Sequence, residues 1–130
     1  DVTNTVRRIK DIENIVELFR RKKPDCIFSV VKAKHNPYFN MVEVKKDGFA
    51  KVCNLLSTLI QRRQDMPKVY NMNASIYIYK KEFLLDGRNN LPYSGKALVY
   101  EMPEISGFDI DSEFDFKLTE FLVKEDVLKI

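Results

Sequence analysis

The sequence predicts a mixed α/β domain, and three observations carry the prediction. An amphipathic helix near the N-terminus stops directly before a nearly continuous apolar run, which is half of a parallel βαβ arrangement. Two later runs, Ala74–Tyr79 and Lys96–Tyr100, each ending in tyrosine, read as strands. A capped helix closes the chain. With 130 residues, 45% hydrophobic and 32% charged, the chain can bury a core, and whole-chain disorder is excluded. Its length suits one domain or a piece of a larger one.

The first helix is expected from about Val6 to Lys22, with Ile9, Ile12, Ile15, Val16 and Phe19 forming its apolar face. Arg20, Arg21, Lys22 and Lys23 suit the negative end of the helix dipole, and Pro24 stops it. Cys26 to Val31 reads as a central strand covered on both faces. Met41–Val44 and Phe49–Val52 flank Lys46-Asp47-Gly48, a hairpin in which Gly48 supplies the positive φ. Residues 53–64 read equally as a short helix or a loop. Ala74 to Tyr79 is a strand with Ile76 and Ile78 on one face and Tyr77 and Tyr79 on the other. A helical turn at Lys81–Leu85, a polar loop at 86–96 and a strand from Lys96 to Tyr100 follow. The last helix begins after Asp111, with Ser112 as N-cap, Asp115 three residues on, and Phe114, Leu118, Phe121 and Leu122 as its buried face.

Several classes of function are excluded. The longest apolar runs are four residues, Ile76–Tyr79 and Ala97–Tyr100, against roughly 20 for a membrane-spanning helix. A net charge of +3 spread along the chain does not point to nucleic acid. Cys26 and Cys53 are too few for a disulfide scaffold and read as small buried thiols in a reduced, cytoplasmic setting. No signal peptide precedes them, and a start at Asp1 rather than methionine leads us to expect an N-terminus that was cut. A lone histidine, His35, argues against a zinc site or a nucleophile–histidine triad. Glycines at 48, 87, 95 and 107 form no phosphate-binding loop.

Three features carry possible chemistry. In Asp109-Ile110-Asp111, residues two apart on an extended segment point the same way, roughly 6.5 Å apart. Both carboxylates could then share a hard cation such as Mg²⁺, or Asp111 could simply favour the N-terminus of the following helix. An EF-hand fails because Phe114 stands where the loop needs glycine. Arg62-Arg63 could clamp a carboxylate or phosphate, or form a solvated basic spot. Asn73 could bond a sugar or cap a turn.

Taken in order, the motifs resemble one family. Phe28-Ser29-Val30-Val31 with His35-Asn36-Pro37-Tyr38, then Arg62-Arg63-Gln64-Asp65-Met66-Pro67 with Asn73-Ala74-Ser75-Ile76-Tyr77, then Met102-Pro103-Glu104 leading to Asp109-Ile110-Asp111-Ser112-Glu113, look like the acylneuraminate cytidylyltransferases. The resemblance covers essentially all 130 residues. The wording around Asn71–Ser75 looks most like the legionaminic- and pseudaminic-acid branches. It implies a Rossmann-like three-layer nucleotidyltransferase fold with a mixed sheet, here lacking its N-terminal nucleotide-binding half. It also implies transfer of CMP from CTP to a nonulosonic acid, with pyrophosphate released and Mg²⁺ holding the phosphates. Such products supply bacterial surface polysaccharides. By position, Asp109 and Asp111 match the metal-binding carboxylates, while Arg63, Asn73 and Tyr77 match the sugar-acid side. The stretch at about 36–70 resembles the family's dimerisation arm, so a homodimer is expected.

The departures are specific. Asn71 stands where many members carry a second arginine, and Asn73-Ala74 replaces the commoner Asn-Gly. Thr3-Asn4-Thr5-Val6-Arg7 looks like a stretch usually reading Thr-Ser-Pro-Leu-Arg, and Asp1 falls where some members place a sugar-binding glutamine. Two other classes stay open: a non-catalytic dimerisation module, and an anion- or nucleic-acid-binding domain built on Arg62, Arg63 and the tyrosines. The isolated chain is expected to lack CTP binding for want of a glycine-rich phosphate loop.

Overall fold

Six of the seven residues of β1 (Cys26–Lys32) are buried, and the rest of the first unit is arranged around this strand. The structure, a computed structural model, describes residues 2–54, 66–86 and 93–128. Along the chain come α1 (Ile9–Lys22), β1, β2 (Val42–Val44), β3 (Ala50–Val52), β4 (Tyr70–Tyr79), α2 (Lys81–Leu85), β5 (Ala97–Glu101), a 3₁₀ turn (Glu104–Gly107) and α3 (Glu113–Lys124). Two compact units result: Asp1–Val31 with Asn71–Ile130, and Lys32–Tyr70. Among the described residues, no helix is long and apolar enough to cross a membrane.

The first unit holds a three-stranded sheet in the order β4-β1-β5. β1 and β5 are parallel, from Cys26 opposite Ala97 to Val30 opposite Glu101. β4 runs the other way: the Lys80 amide meets the Asp25 carbonyl, and the Ile76 amide meets the Ser29 hydroxyl, so partners fall as β1 advances. The sheet is therefore mixed, on an α/β frame. Ile27 and Val30 are fully buried in it, each removal from water giving about 1.5–3 kcal/mol.

Two apolar faces differ from expectation. α1 begins at Ile9, not Val6, and Ile9 is 76% exposed while Ile12 is also exposed. The stripe that turns inward is Asp11 and Ile15, with Leu18 and Phe19 half-buried. Asp11 holds a core-facing position because Arg8 and Tyr100 satisfy its carboxylate, a possibility hidden from apolar spacing. In α3, Phe114 (73%) and Phe121 are exposed, and Thr119 is the buried residue, with Leu118 and Leu122 half-buried. The hydroxyl of Thr119 returns to the Asp115 carbonyl at 2.8 Å, which removes the cost of burying it.

The ends of both helices follow their sequence signals. Lys23, in the left-handed region at φ 49°, closes α1 by donating to the Phe19 carbonyl ahead of Pro24. Ser112 and Asp115 form a full capping box on α3. In the second unit β2 and β3 are antiparallel, and the cross-strand pair Glu43–Lys51 is bridged at 2.7 Å. Gly48 takes φ 85° in the connecting turn, as Lys46-Asp47-Gly48 predicts. The ambiguous stretch 53–64 falls almost entirely outside the described residues.

Candidate functional site

The site is built on one polar residue in an apolar strand. Ser29, buried in β1, donates its hydroxyl proton to Asn73 Oδ1 at 2.7 Å and accepts the Ile76 amide at 2.9 Å. These partners lie on either side of Ala74, whose φ of 52° lies in the left-handed region within β4. Here the departure from Asn-Gly acquires a physical cost: glycine enters that region freely, and alanine does not. Asn73 turns inward. Its Nδ2 donates to the Ser106 carbonyl at 2.9 Å and lies 3.5 Å from Met102 Sδ.

The same Ser106 carbonyl receives Asn4 Nδ2 at 2.9 Å, and that amide also lies 3.4 Å from the Phe108 carbonyl. The Ile110 amide donates to the Thr3 carbonyl at 3.2 Å. Gly107 lies so close to β1 that a β-carbon there would stand 2.6 Å from a Val31 methyl. Residues 106–110 are thus held by the N-terminal stretch, by β4 and by the carboxyl end of β1. That end of a parallel strand pair is where α/β folds bind ligands.

Asp109 and Asp111 follow directly. One Asp109 oxygen accepts the Ile110 amide at 3.0 Å, and Asp109 is half-buried. Asp111 is exposed, and among the described residues neither carboxylate has an ion-pair partner. The helix cap belongs to its neighbours: Asp115 accepts the Ser112 amide at 2.8 Å, and the Ser112 hydroxyl holds the Asp115 carboxyl below its usual range. No group of three or more His, Cys, Asp or Glu residues able to hold a metal ion occurs among the described residues. Asp109 and Asp111 offer only carboxylate oxygens, two residues apart on the tied segment, with no cation partner among the described residues. Mg²⁺ is commonly held this way, keeping waters and bridging to substrate phosphates.

Of the other predicted site residues, Tyr77 is 39% exposed on β4, its ring stacked on Tyr79 and tilted against Phe28, both at 6.3 Å. The structure brings Asn73 to the loop that carries the carboxylates and gives Tyr77 aromatic neighbours instead. Arg62 and Arg63 lie outside the described residues. Sequence reasoning missed Asn4, Ser29 as a hydrogen-bonding centre, and Ser106. Ser29 interrupting an apolar strand was the available signal for the second of these.

A separate cluster lies at the start of α1. Arg8 holds Asp11 through two bonds of 2.8 and 3.0 Å, Tyr100 donates to the same carboxylate at 3.0 Å, and Asn14 donates to Tyr100 at 3.2 Å. The Arg8 hydrogen bond, with help from Tyr100, keeps the Asp11 carboxyl below its usual range against the opposing effect of burial. A cavity of about 400 Å³ beside it is lined by Lys10, Glu101 and Met102 among others.

A mixed α/β frame with an acid pair at the carboxyl end of its parallel strands is consistent with a nucleotidyltransferase. The chain is 42% identical over 125 residues to post-translational flagellin modification protein B of Campylobacter coli, covering 96% of this chain and 51% of that protein. It is 42% identical over 97 residues to CMP-N,N'-diacetyllegionaminic acid synthase of Campylobacter jejuni, covering 75% and 39%. Against N-acylneuraminate cytidylyltransferase A of Danio rerio it is 34% identical over 111 residues, covering 85% and 25%. No protein-family model matches. The chain is similar to members of the acylneuraminate cytidylyltransferase family and spans about half the length, or less, of these relatives.

Proposed function

We propose that this chain supplies the metal and sugar-acid side of an enzyme that transfers CMP from CTP to a nonulosonic acid and releases pyrophosphate. The observation that carries the reading is Asp109 and Asp111, on a segment held by backbone and side-chain bonds yet without a cation partner among the described residues. Mg²⁺ bound there would neutralise the phosphates while the acid's hydroxyl attacks the α-phosphate. Asp109 and Asp111 would hold the ion. Arg63 and Tyr77 would face the sugar acid, and Asn73 would serve that side through its bonds to the loop. The nucleotide cradle would come from a segment equivalent to the relatives' unmatched half, completing a three-layer fold. The reading includes a cytoplasmic enzyme and an isologous dimer through the second unit, where Met41, Val42, Val44 and Phe49 are exposed.

The test is pyrophosphate release from CTP and a sialic, legionaminic or pseudaminic acid. It is run with the 130-residue chain alone and with the same chain placed behind the N-terminal part of the Campylobacter coli relative. Expected is no release from the first and Mg²⁺-dependent release from the second, abolished by Asp111→Asn. Undiminished turnover in that variant would overturn the metal assignment. Tight CTP binding by the chain alone would overturn the division of the site and favour a phosphate site within these residues. A Mg²⁺-independent, inactive dimer in both forms would favour a non-catalytic dimerisation module.

A further inference from the structure

The loop that carries the carboxylate pair is fastened by side chains that come from far away in sequence. Two amide donors, Asn4 Nδ2 and Asn73 Nδ2, converge on the single carbonyl of Ser106, each at 2.9 Å. Asn4 also lies 3.4 Å from the Phe108 carbonyl, one residue before Asp109, and its neighbour Thr3 receives the Ile110 amide. The Ser106 and Phe108 carbonyls and the Ile110 amide are therefore all tied to residues 3, 4 and 73. Asn4 is 97% buried, yet its Oδ1 and the hydroxyl of Ser106 have no hydrogen-bond partner among the described residues. A buried polar atom left unpaired destabilises the fold. A group kept at such a cost is explained by what its other end does, which here is to fix a loop.

We infer that Asn4 and Asn73 are positioning residues for the Asp109–Asp111 pair. They act by clamping the Ser106 and Phe108 carbonyls and so setting where the two carboxylates stand. The inference rests on the metal reading above, and it assigns Asn73 a different job from substrate contact. Both polar atoms of its side chain are committed to Ser29, Ser106 and Met102. Asn73 is also buried, so a sugar hydroxyl has little access to what remains, the second lone pair of Oδ1.

The test uses the 130-residue protein and the substitution Asn4→Asp, which keeps the side chain's size, removes both donors and sets a negative charge against two carbonyl oxygens. Hydrogen exchange read by NMR, without metal, should rise about tenfold at the Phe108 and Ile110 amides relative to those of β1. Mn²⁺ titrated into the unaltered protein should broaden the amide signals of residues 109–112, and Asn4→Asp should weaken that binding about tenfold, as loss of an outer-shell partner does. Asn73→Asp should act in the same direction. Should Asn4→Asp fail to fold, Asn4→Ser gives the same readouts with a smaller effect. Unchanged exchange at Phe108 and Ile110 overturns the clamp. Faster exchange with unchanged Mn²⁺ binding reduces Asn4 to a structural residue and overturns the positioning role. Absence of broadening in the unaltered protein defeats the metal reading itself, while the exchange measurement still decides whether the loop is clamped.

Discussion

Two acidic groups in the first unit are treated in opposite ways. Asp11, 2% exposed, receives an arginine fork and a tyrosine hydroxyl, so its charge is answered within the chain. Asp109 and Asp111 stand on a segment whose backbone is firmly tied, yet no cation of the described residues answers them. Burial forces the first arrangement, because an unpaired buried carboxylate is too costly to keep. Partial exposure permits the second, and the tied backbone gives it a fixed place. The difference separates an acid that holds the fold from acids left available to something outside it.

Removing Asp11 should have the largest effect on stability. Asp11→Ala leaves the Tyr100 hydroxyl and the Arg8 guanidinium without their partner, so urea unfolding should report a loss of about 3 kcal/mol. Divalent-ion binding at 109–112 should persist in whatever fraction remains folded. Gly107→Ala comes next. The new methyl meets Val31 at the carboxyl end of β1, and the loss should be about 2 kcal/mol by the same measurement. Unlike Asp11→Ala, it should also disturb the carboxylate loop.

Acid titration sharpens the contrast. The carboxyls of Asp11, Asp25 and Asp115 are held below the ordinary aspartate range, by the hydrogen bonds of Arg8, Lys80 and Ser112 respectively. The folded state therefore binds fewer protons than the unfolded chain. Their contribution to stability is complete above the unfolded value and is lost as pH falls through the lower folded values. Thermal unfolding from pH 5 downwards should show this decline, and Asp11→Asn should make it shallower. Asp111→Asn should change unfolding free energy by no more than about 0.5 kcal/mol, as expected of an exposed carboxylate with no partner among the described residues. Among these substitutions a gain is expected only of Ala74→Gly. Relief of the left-handed alanine, partly offset by the entropy of glycine in the unfolded chain, should leave a gain of about 0.5 kcal/mol.

Local signals were legible in the sequence where a few adjacent residues decide the outcome. Lys46-Asp47-Gly48 makes the turn, Ser112 with Asp115 caps α3, and the run from Cys26 forms the buried strand. The signals failed where a distant partner decides. Apolar spacing placed Ile15, Val16 and Phe19 on the buried or half-buried side of α1 but misplaced Ile9 and Ile12, because Asp11 takes an inward position by virtue of Arg8 and Tyr100. The start of β4 at Tyr70 was hidden by Asn71 and Asn73, polar residues that pairing and the Ser29 hydroxyl accommodate in a strand. The same holds at the site. Asp109-Ile110-Asp111 is visible as a pattern, but the inward commitment of Asn73 depends on a carbonyl 33 residues away.

The most direct test of the contrast is Mn²⁺ binding to three forms of the protein: unaltered, Asp11→Asn and Asp111→Asn. The free ion is read by electron paramagnetic resonance near neutral pH. Both substitutions remove one carboxylate charge, so a loss of net negative charge affects them alike. The expected result is affinity reduced about tenfold or more in Asp111→Asn and unchanged in Asp11→Asn. Equal loss in both, or unaltered binding in Asp111→Asn, would contradict the division between an acid that holds the fold and acids that hold an ion.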